Sequence, residues 1–117
     1  LIELALLETQ IGGGFGGGEV AVVVPGTVVF ETVHVLEKQY RRTRAWIDDA
    51  IGRILALQSV RVERSDQVAH ALRIFTSTSL SFADAFHAAV TLGDNLAGIA
   101  SFDRGLDRVP GLRRIEP

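Results

Sequence analysis

The feature that most constrains this chain is the run Val20–Val24, an unbroken stretch of valine and alanine closed by Pro25-Gly26. A strand with one wet face would alternate apolar and polar residues. A continuous β-branched run instead fits a strand buried on both faces, as in a parallel sheet. Helical periodicity begins directly afterwards. Thr27 is placed to cap a helix running to about Arg42, in which Val28, Thr32, Val35 and Leu36 share one face.

The same alternation of strand and helix patterns continues along the chain. Trp46, Ile47, Ala50, Ile51, Ile54 and Leu55 form the apolar face of a second helix, and Val60–Val62 reads as a short strand. Ser65 caps a helix carrying Val68, Ala71, Leu72 and Phe75. Ser81 and Asp84 make an S-x-x-D capping pattern ahead of Ala85, Phe86, Ala88, Ala89 and Leu92, and Asp94-Asn95 closes that helix. Ala97–Phe102 reads as a second buried strand. Asp103-Arg104-Gly105 and Pro110-Gly111 read as turns, and Leu112–Ile115 as a last strand. Upstream, Leu1–Gln10 has a helical stripe of Leu1, Leu4 and Ala5, and residues 11–19 form a glycine-rich connector. Strands interleaved with helices argue for an α/β layer fold in one domain spanning residues 1–117.

Composition narrows the function classes. The chain has 117 residues, 47% of them hydrophobic, and a net charge of −2. The mean hydropathy of +0.25 is not concentrated in any stretch near the ~20 residues that a spanning helix needs. No membrane association or signal peptide is expected, and the expected location is the cytoplasm. Cysteine is absent, which excludes disulfides and sulfur-based zinc sites. The chain does not begin with methionine, and it is expected to start inside a longer natural protein. Binding of nucleic acid through bulk charge is excluded by the acidic balance, so any polyanion must meet a local patch or a bound metal.

Chain order supplies such a place. A helix that follows a parallel strand starts at the carboxyl edge of the sheet, and so does a helix that leads back into one. Glu31 lies early in the helix after the Val20–Val24 strand, and Asp84 lies in the first turn of the helix before the Ala97–Phe102 strand. Asp103 directly follows that second strand. Ligands of open α/β sheets bind outside this edge. Glu31 is also about 40° from Val35 at about 100° per residue, on the border of the expected apolar stripe. Gathered carboxylates repel one another, and a divalent cation removes the conflict. An all-oxygen donor set suits Mg²⁺ or Mn²⁺, and the chemistry that follows most naturally is hydrolysis of a phosphodiester.

Each residue also has a plainer structural role open to it. Asp84 fits a helix cap, Asp103 a turn, and Glu31 a solvated surface position. His34 and His87 read as surface or boundary residues. The run Arg41-Arg42-x-Arg44 fits either phosphate contact or a solvated helix end. Arg104 and Arg108 flank Asp103 and are better placed for a substrate. The glycine tract joins no strand to a helix and is followed by no Lys-Ser/Thr, which excludes a phosphate-binding loop.

Taken together, VVVPGTVVFETVHVLEK, SFADAFHAA and ASFDRGLDRVPG resemble the acidic motifs of PIN domains, over roughly Val20–Pro117. The nearest subgroup by appearance is the VapC-like toxins of toxin–antitoxin pairs. The resemblance implies a three-layer α/β/α fold with a central parallel sheet and a metal-dependent endoribonuclease using Mg²⁺ or Mn²⁺. It further implies a homodimer, an RNA substrate and a cognate antitoxin that blocks the site. Carried over by motif, Glu31, Asp84 and Asp103 match the second, third and fourth family acids. Ser101 matches a small hydroxyl residue before the fourth, and Ser101 and Arg104 are candidate substrate contacts. The family's first acid, an Asp in a D-T-N-like motif ending an N-terminal strand, has no counterpart, so the first strand is expected to be missing. The competing expectation is a degenerate PIN-like module that binds or dimerises without catalysis.

Overall fold

The structure is a computed structural model that describes residues 22–117. The expected N-terminal helix, the glycine-rich connector, Val20 and Ala21, and the question of a first strand lie outside the described residues. The architecture is α/β, with helices interleaved with parallel strands. Its described residues fall into two compact units, one ending at Ser65 and the other spanning Asp66–Pro117.

The first unit contains β1 (Val22–Val24), α1 (Gly26–Lys38), α2 (Arg44–Leu55) and β2 (Val60–Val62). β1 and β2 pair in parallel with Val22 opposite Val60 and Val24 opposite Val62. The ladder runs past both ends, through Val22 N–H to Ser59 O at 3.1 Å and Glu63 N–H to Val24 O at 2.9 Å. Val60 and Val62 are buried on either side of exposed Arg61, so β2 is the strand its pattern predicts.

α1 differs from expectation in its start and its buried face. Pro25, not Thr27, occupies the N-cap, and it offers no side-chain acceptor. The Gly26 N–H is satisfied instead by Glu63 Oε1 at 3.1 Å, a cap supplied from the end of β2. The buried stripe is Val29, Val33 and Leu36, so of the expected Val28, Thr32, Val35 and Leu36 only Leu36 is buried. Thr32 turns its hydroxyl back onto Val28 O at 2.7 Å, which suits a partly wet face. Glu31 then falls about 160° from Val33 at about 100° per residue, and it is exposed. It is not on the border of the apolar stripe.

α1 ends at Lys38 rather than near Arg42, and Arg41 takes a φ of 52° in the connector. Thr43 caps α2 by accepting the Trp46 N–H at 3.1 Å. Two arginines of the Arg41-Arg42-x-Arg44 run have local partners. Arg42 lies 5.2 Å from the Trp46 ring centroid, and Arg44 pairs with Glu37 at 3.4 Å. α2 buries Ile47, Ala50, Ile51 and Ile54, as its spacing predicts, and packs on α1 and β2.

The second unit contains α3 (Ser65–Ser77), α4 (Phe82–Gly93), β3 (Ile99–Ala100), a 3₁₀ helix (Arg104–Arg108) and β4 (Arg114–Ile115). Ser65 is the first residue of α3 rather than its cap. Phe75 of α3 and Phe82 of α4 meet edge to face, 5.8 Å between centroids and 81° between planes. Leu72, Phe75, Ala85, Ala88 and Leu106 are buried almost completely. β3 and β4 pair in parallel over Ile99–Arg114 and Ala100–Ile115 only, far shorter than the expected Ala97–Phe102 strand. Gly98 explains how closely the chains approach there. A Cβ at that position would lie 2.7 Å from Arg113 O.

Candidate functional site

In the second unit, the Ser81 hydroxyl accepts the Asp84 N–H at 3.2 Å and so starts α4. Asp84 is half-buried in the first helical turn, where a carboxylate is favoured by the helix dipole. Among the described residues its carboxylate has neither a hydrogen-bond nor an ion-pair partner.

Asp103 sits where the chain leaves β3. It caps the 3₁₀ helix, its Oδ1 accepting the Gly105 N–H at 2.8 Å. Its own N–H donates to Ser101 Oγ at 3.0 Å. Two adjoining side-chain-to-backbone bonds therefore hold Asp103 while leaving Oδ2 open to a ligand. Gly105 ties this turn to the start of α4. A Cβ on Gly105 would stand 3.0 Å from Asp103 Oδ1 and 3.0 Å from Leu80 Cδ2. Gly105 is thus bordered both by Asp103 and by buried Leu80, the residue immediately before the Ser81 cap.

Behind the turn, Arg114 acts as a brace. Its Nε donates to Asp107 Oδ1 at 2.9 Å, Nη2 to Asp107 Oδ2 at 3.3 Å, and Nη1 to Ser101 O at 3.0 Å. β4, the 3₁₀ helix and the residue before the Phe102-Asp103 step are joined through one guanidinium. The hydrogen bond from Arg114 holds the Asp107 carboxyl below its ordinary value of 3.8. Burial opposes this, and the charges of Arg114 and Arg104 reinforce it.

The second unit thus brings Asp103, Ser101 and the start of the Asp84 helix to one place. Arg104 and Arg108 are exposed on the 3₁₀ helix beside them. Glu31 lies in the first unit, in the second turn of α1 after β1. His34 and His87 are both exposed. Sequence reasoning reads Asp103-Arg104-Gly105 as a turn but misses Arg114 and Glu63. The D-x-G spacing of Asp103 and Gly105 carries a readable Asx-turn signal. The roles of Arg114 and Glu63 depend on contacts distant in sequence, which leave no local pattern.

No group of three His, Asp or Glu side chains close enough to hold a metal ion occurs among the described residues. The donor chemistry nevertheless fits Mg²⁺ or Mn²⁺. These ions are commonly held by one or two carboxylates completed by water and substrate phosphate. Asp84 and Asp103 are carboxylate donors of that kind. No helix among the described residues is long and apolar enough to cross a membrane.

The PIN domain family model aligns with residues 5–112. No curated protein and no solved structure matches the chain.

Proposed function

The chain belongs to the PIN domain family, whose members are generally metal-dependent nucleases, and from that premise we propose that it is an endoribonuclease hydrolysing RNA phosphodiester bonds. The observation that carries this reading is the approach of Gly105, whose N–H is held by Asp103 Oδ1, to Leu80 at the threshold of the helix that bears Asp84. Asp103 caps the turn that Gly105 holds against Leu80, and Asp84 stands in the first turn of the helix that starts just after Leu80, which supports reading the two acids together.

Asp84 and Asp103 are the proposed ligands of Mg²⁺ or Mn²⁺, with Glu31 as the third acid of the set. The chemistry that such a cation supplies when bound is a water of lowered pKa and stabilisation of charge on the phosphoryl oxygen. Ser101 positions Asp103 through its backbone N–H, and the Asp103–Gly105 bond fixes which oxygen remains open. Arg104 is the proposed phosphate contact, since guanidinium groups pair with phosphate oxygens bidentately. A toxin role, with a homodimer and an inhibitory antitoxin in the cytoplasm, extends the proposal through the resemblance to VapC-like proteins.

The test is RNA cleavage by the purified chain with Mg²⁺, with chelator, and by the Asp84→Asn and Asp103→Asn variants. Cleavage lost on chelation and in both variants supports the reading. Cleavage undiminished by the substitutions removes these residues from the chemistry. Partner binding without cleavage or metal dependence would favour the non-catalytic module.

A further inference from the structure

Phe102 is 70% exposed, the most exposed large apolar side chain among the described residues. An aromatic ring on a loose loop could fold down and shed water contact, but the backbone on either side of Phe102 is tied. On one side, Ser101 N–H donates to Ile115 O at 3.0 Å, and Ser101 O accepts from Arg114. On the other, Asp103 is held by Ser101 Oγ and by Gly105 N–H. The ring therefore projects from a backbone that is fixed on both sides.

Its neighbours also indicate what it meets. A single peptide step, about 3.8 Å between Cα atoms, separates Phe102 from Asp103. Exposed Arg104 follows directly, and exposed Arg108 ends the same 3₁₀ helix. An outward aromatic ring beside guanidinium groups is the combination that grips single strands, with bases stacking on the ring and phosphates meeting the cations. Phe102 is flanked in the chain by polar Ser101 and Asp103, while exposed Ile115 lies on the paired strand.

We propose that Phe102 stacks on an unpaired nucleobase of the substrate, next to the phosphate handled at Asp103. This rests on the ribonuclease reading above. Phe102 acts through substrate binding and carries no proton or ligand.

The experiment measures cleavage of a fluorescently labelled single-stranded RNA with Mg²⁺ by the wild type, Phe102→Ala and Phe102→Trp. The same strand carrying one abasic site at successive positions serves as a second substrate series. Phe102→Ala is expected to raise KM by about 5- to 150-fold, the worth of one base–aromatic stack. A smaller change in kcat and recovery by Phe102→Trp are also expected. One abasic position should weaken the wild type comparably and have little further effect on Phe102→Ala, because both changes remove the same stack.

Unchanged KM in Phe102→Ala, with the wild type active, overturns the inference alone. So does Phe102→Ala that leaves KM intact but dissociates an oligomer, which would assign the ring to a protein contact. A wild type that neither cleaves nor binds RNA overturns the ribonuclease reading, and this inference with it.

Discussion

The Asp103 carboxylate accepts the Gly105 N–H at 2.8 Å, and the absence of a side chain on Gly105 is what allows Leu80 to close on the same point. Gly105→Ala would place its Cβ 3.0 Å from both Asp103 Oδ1 and Leu80 Cδ2. Leu80 is buried and Asp103 exposed, so the easier relaxation is rotation of the Asp103 carboxylate off its hydrogen bond. The overpacking cost of about 1–3 kcal/mol is then partly relieved and offset by the entropy gained over glycine, about 0.4–1 kcal/mol. Thermal unfolding should change by no more than about 1 kcal/mol. RNA cleavage should fall at least about tenfold, the effect of a barrier raised by about 1.4 kcal/mol. A large loss of stability with unaltered cleavage would mean that Leu80 yields instead.

Gly98 meets a harder obstacle. A Cβ there would approach the Arg113 carbonyl oxygen to 2.7 Å, and a backbone atom has no rotamer to escape through. Gly98→Ala should therefore separate β3 from β4, which share only two residue pairs, at a cost of about 1–3 kcal/mol. Hydrogen exchange at Ile99 and Ser101, whose N–H groups donate to Arg113 O and Ile115 O, is the sensitive measurement. Unaltered protection of both amides would contradict the assignment.

Elements with an unambiguous period were legible in the sequence, and the rest depended on contacts it does not display locally. α2 and β2 were readable because polar residues separate their apolar positions. α1 was readable as a helix but not in phase, since Val28, Val29, Val33 and Val35 allow two stripes offset by one residue. The phase decides whether Glu31 borders the core or faces outward, and it faces outward. The start of α1 depended on Glu63, 37 residues away. In β3, apolar residues run on to Phe102, yet pairing ends with Ala100 and the ring turns outward. Within the site, the Ser81–Asp84 cap and the Asp103 turn were visible as patterns. Their meeting through Leu80 and Gly105 was not, because it is a tertiary contact.

Asp107 gives a pH dependence of definite sign. Its hydrogen bond from Arg114 lowers the folded-state value below 3.8. The folded state thus releases this proton more readily than the unfolded chain. The resulting stabilisation is fully present well above pH 3.8 and is lost as the pH falls through the folded-state value. Asp107→Asn should be less stable than the wild type at neutral pH, and the two melting curves should converge in strong acid. The gap should also narrow with added salt, because the Asp107 side chain is exposed. A gap that widens on acidification would refute the assignment.

Ser81 and Asp84 separate architecture from chemistry, because both belong to the same helix start but only one offers a carboxylate. The Ser81 hydroxyl satisfies the Asp84 N–H. Ser81→Ala should then cost about 0.5–2 kcal/mol of stability, with cleavage per folded molecule largely retained. Asp84→Asn leaves that backbone bond in place and removes only the favourable charge near the helix N-terminus, about 0.3–1 kcal/mol. If Asp84 is only a first-turn residue, its variant should lose that small stability and keep its activity. If it holds the cation, the ordering reverses between the two readouts: Ser81→Ala is the less stable protein and Asp84→Asn the inactive one. Paired denaturant unfolding and Mg²⁺-dependent cleavage measure both. Equal loss of cleavage in the two variants, in proportion to their unfolding, would assign Asp84 to the helix cap alone.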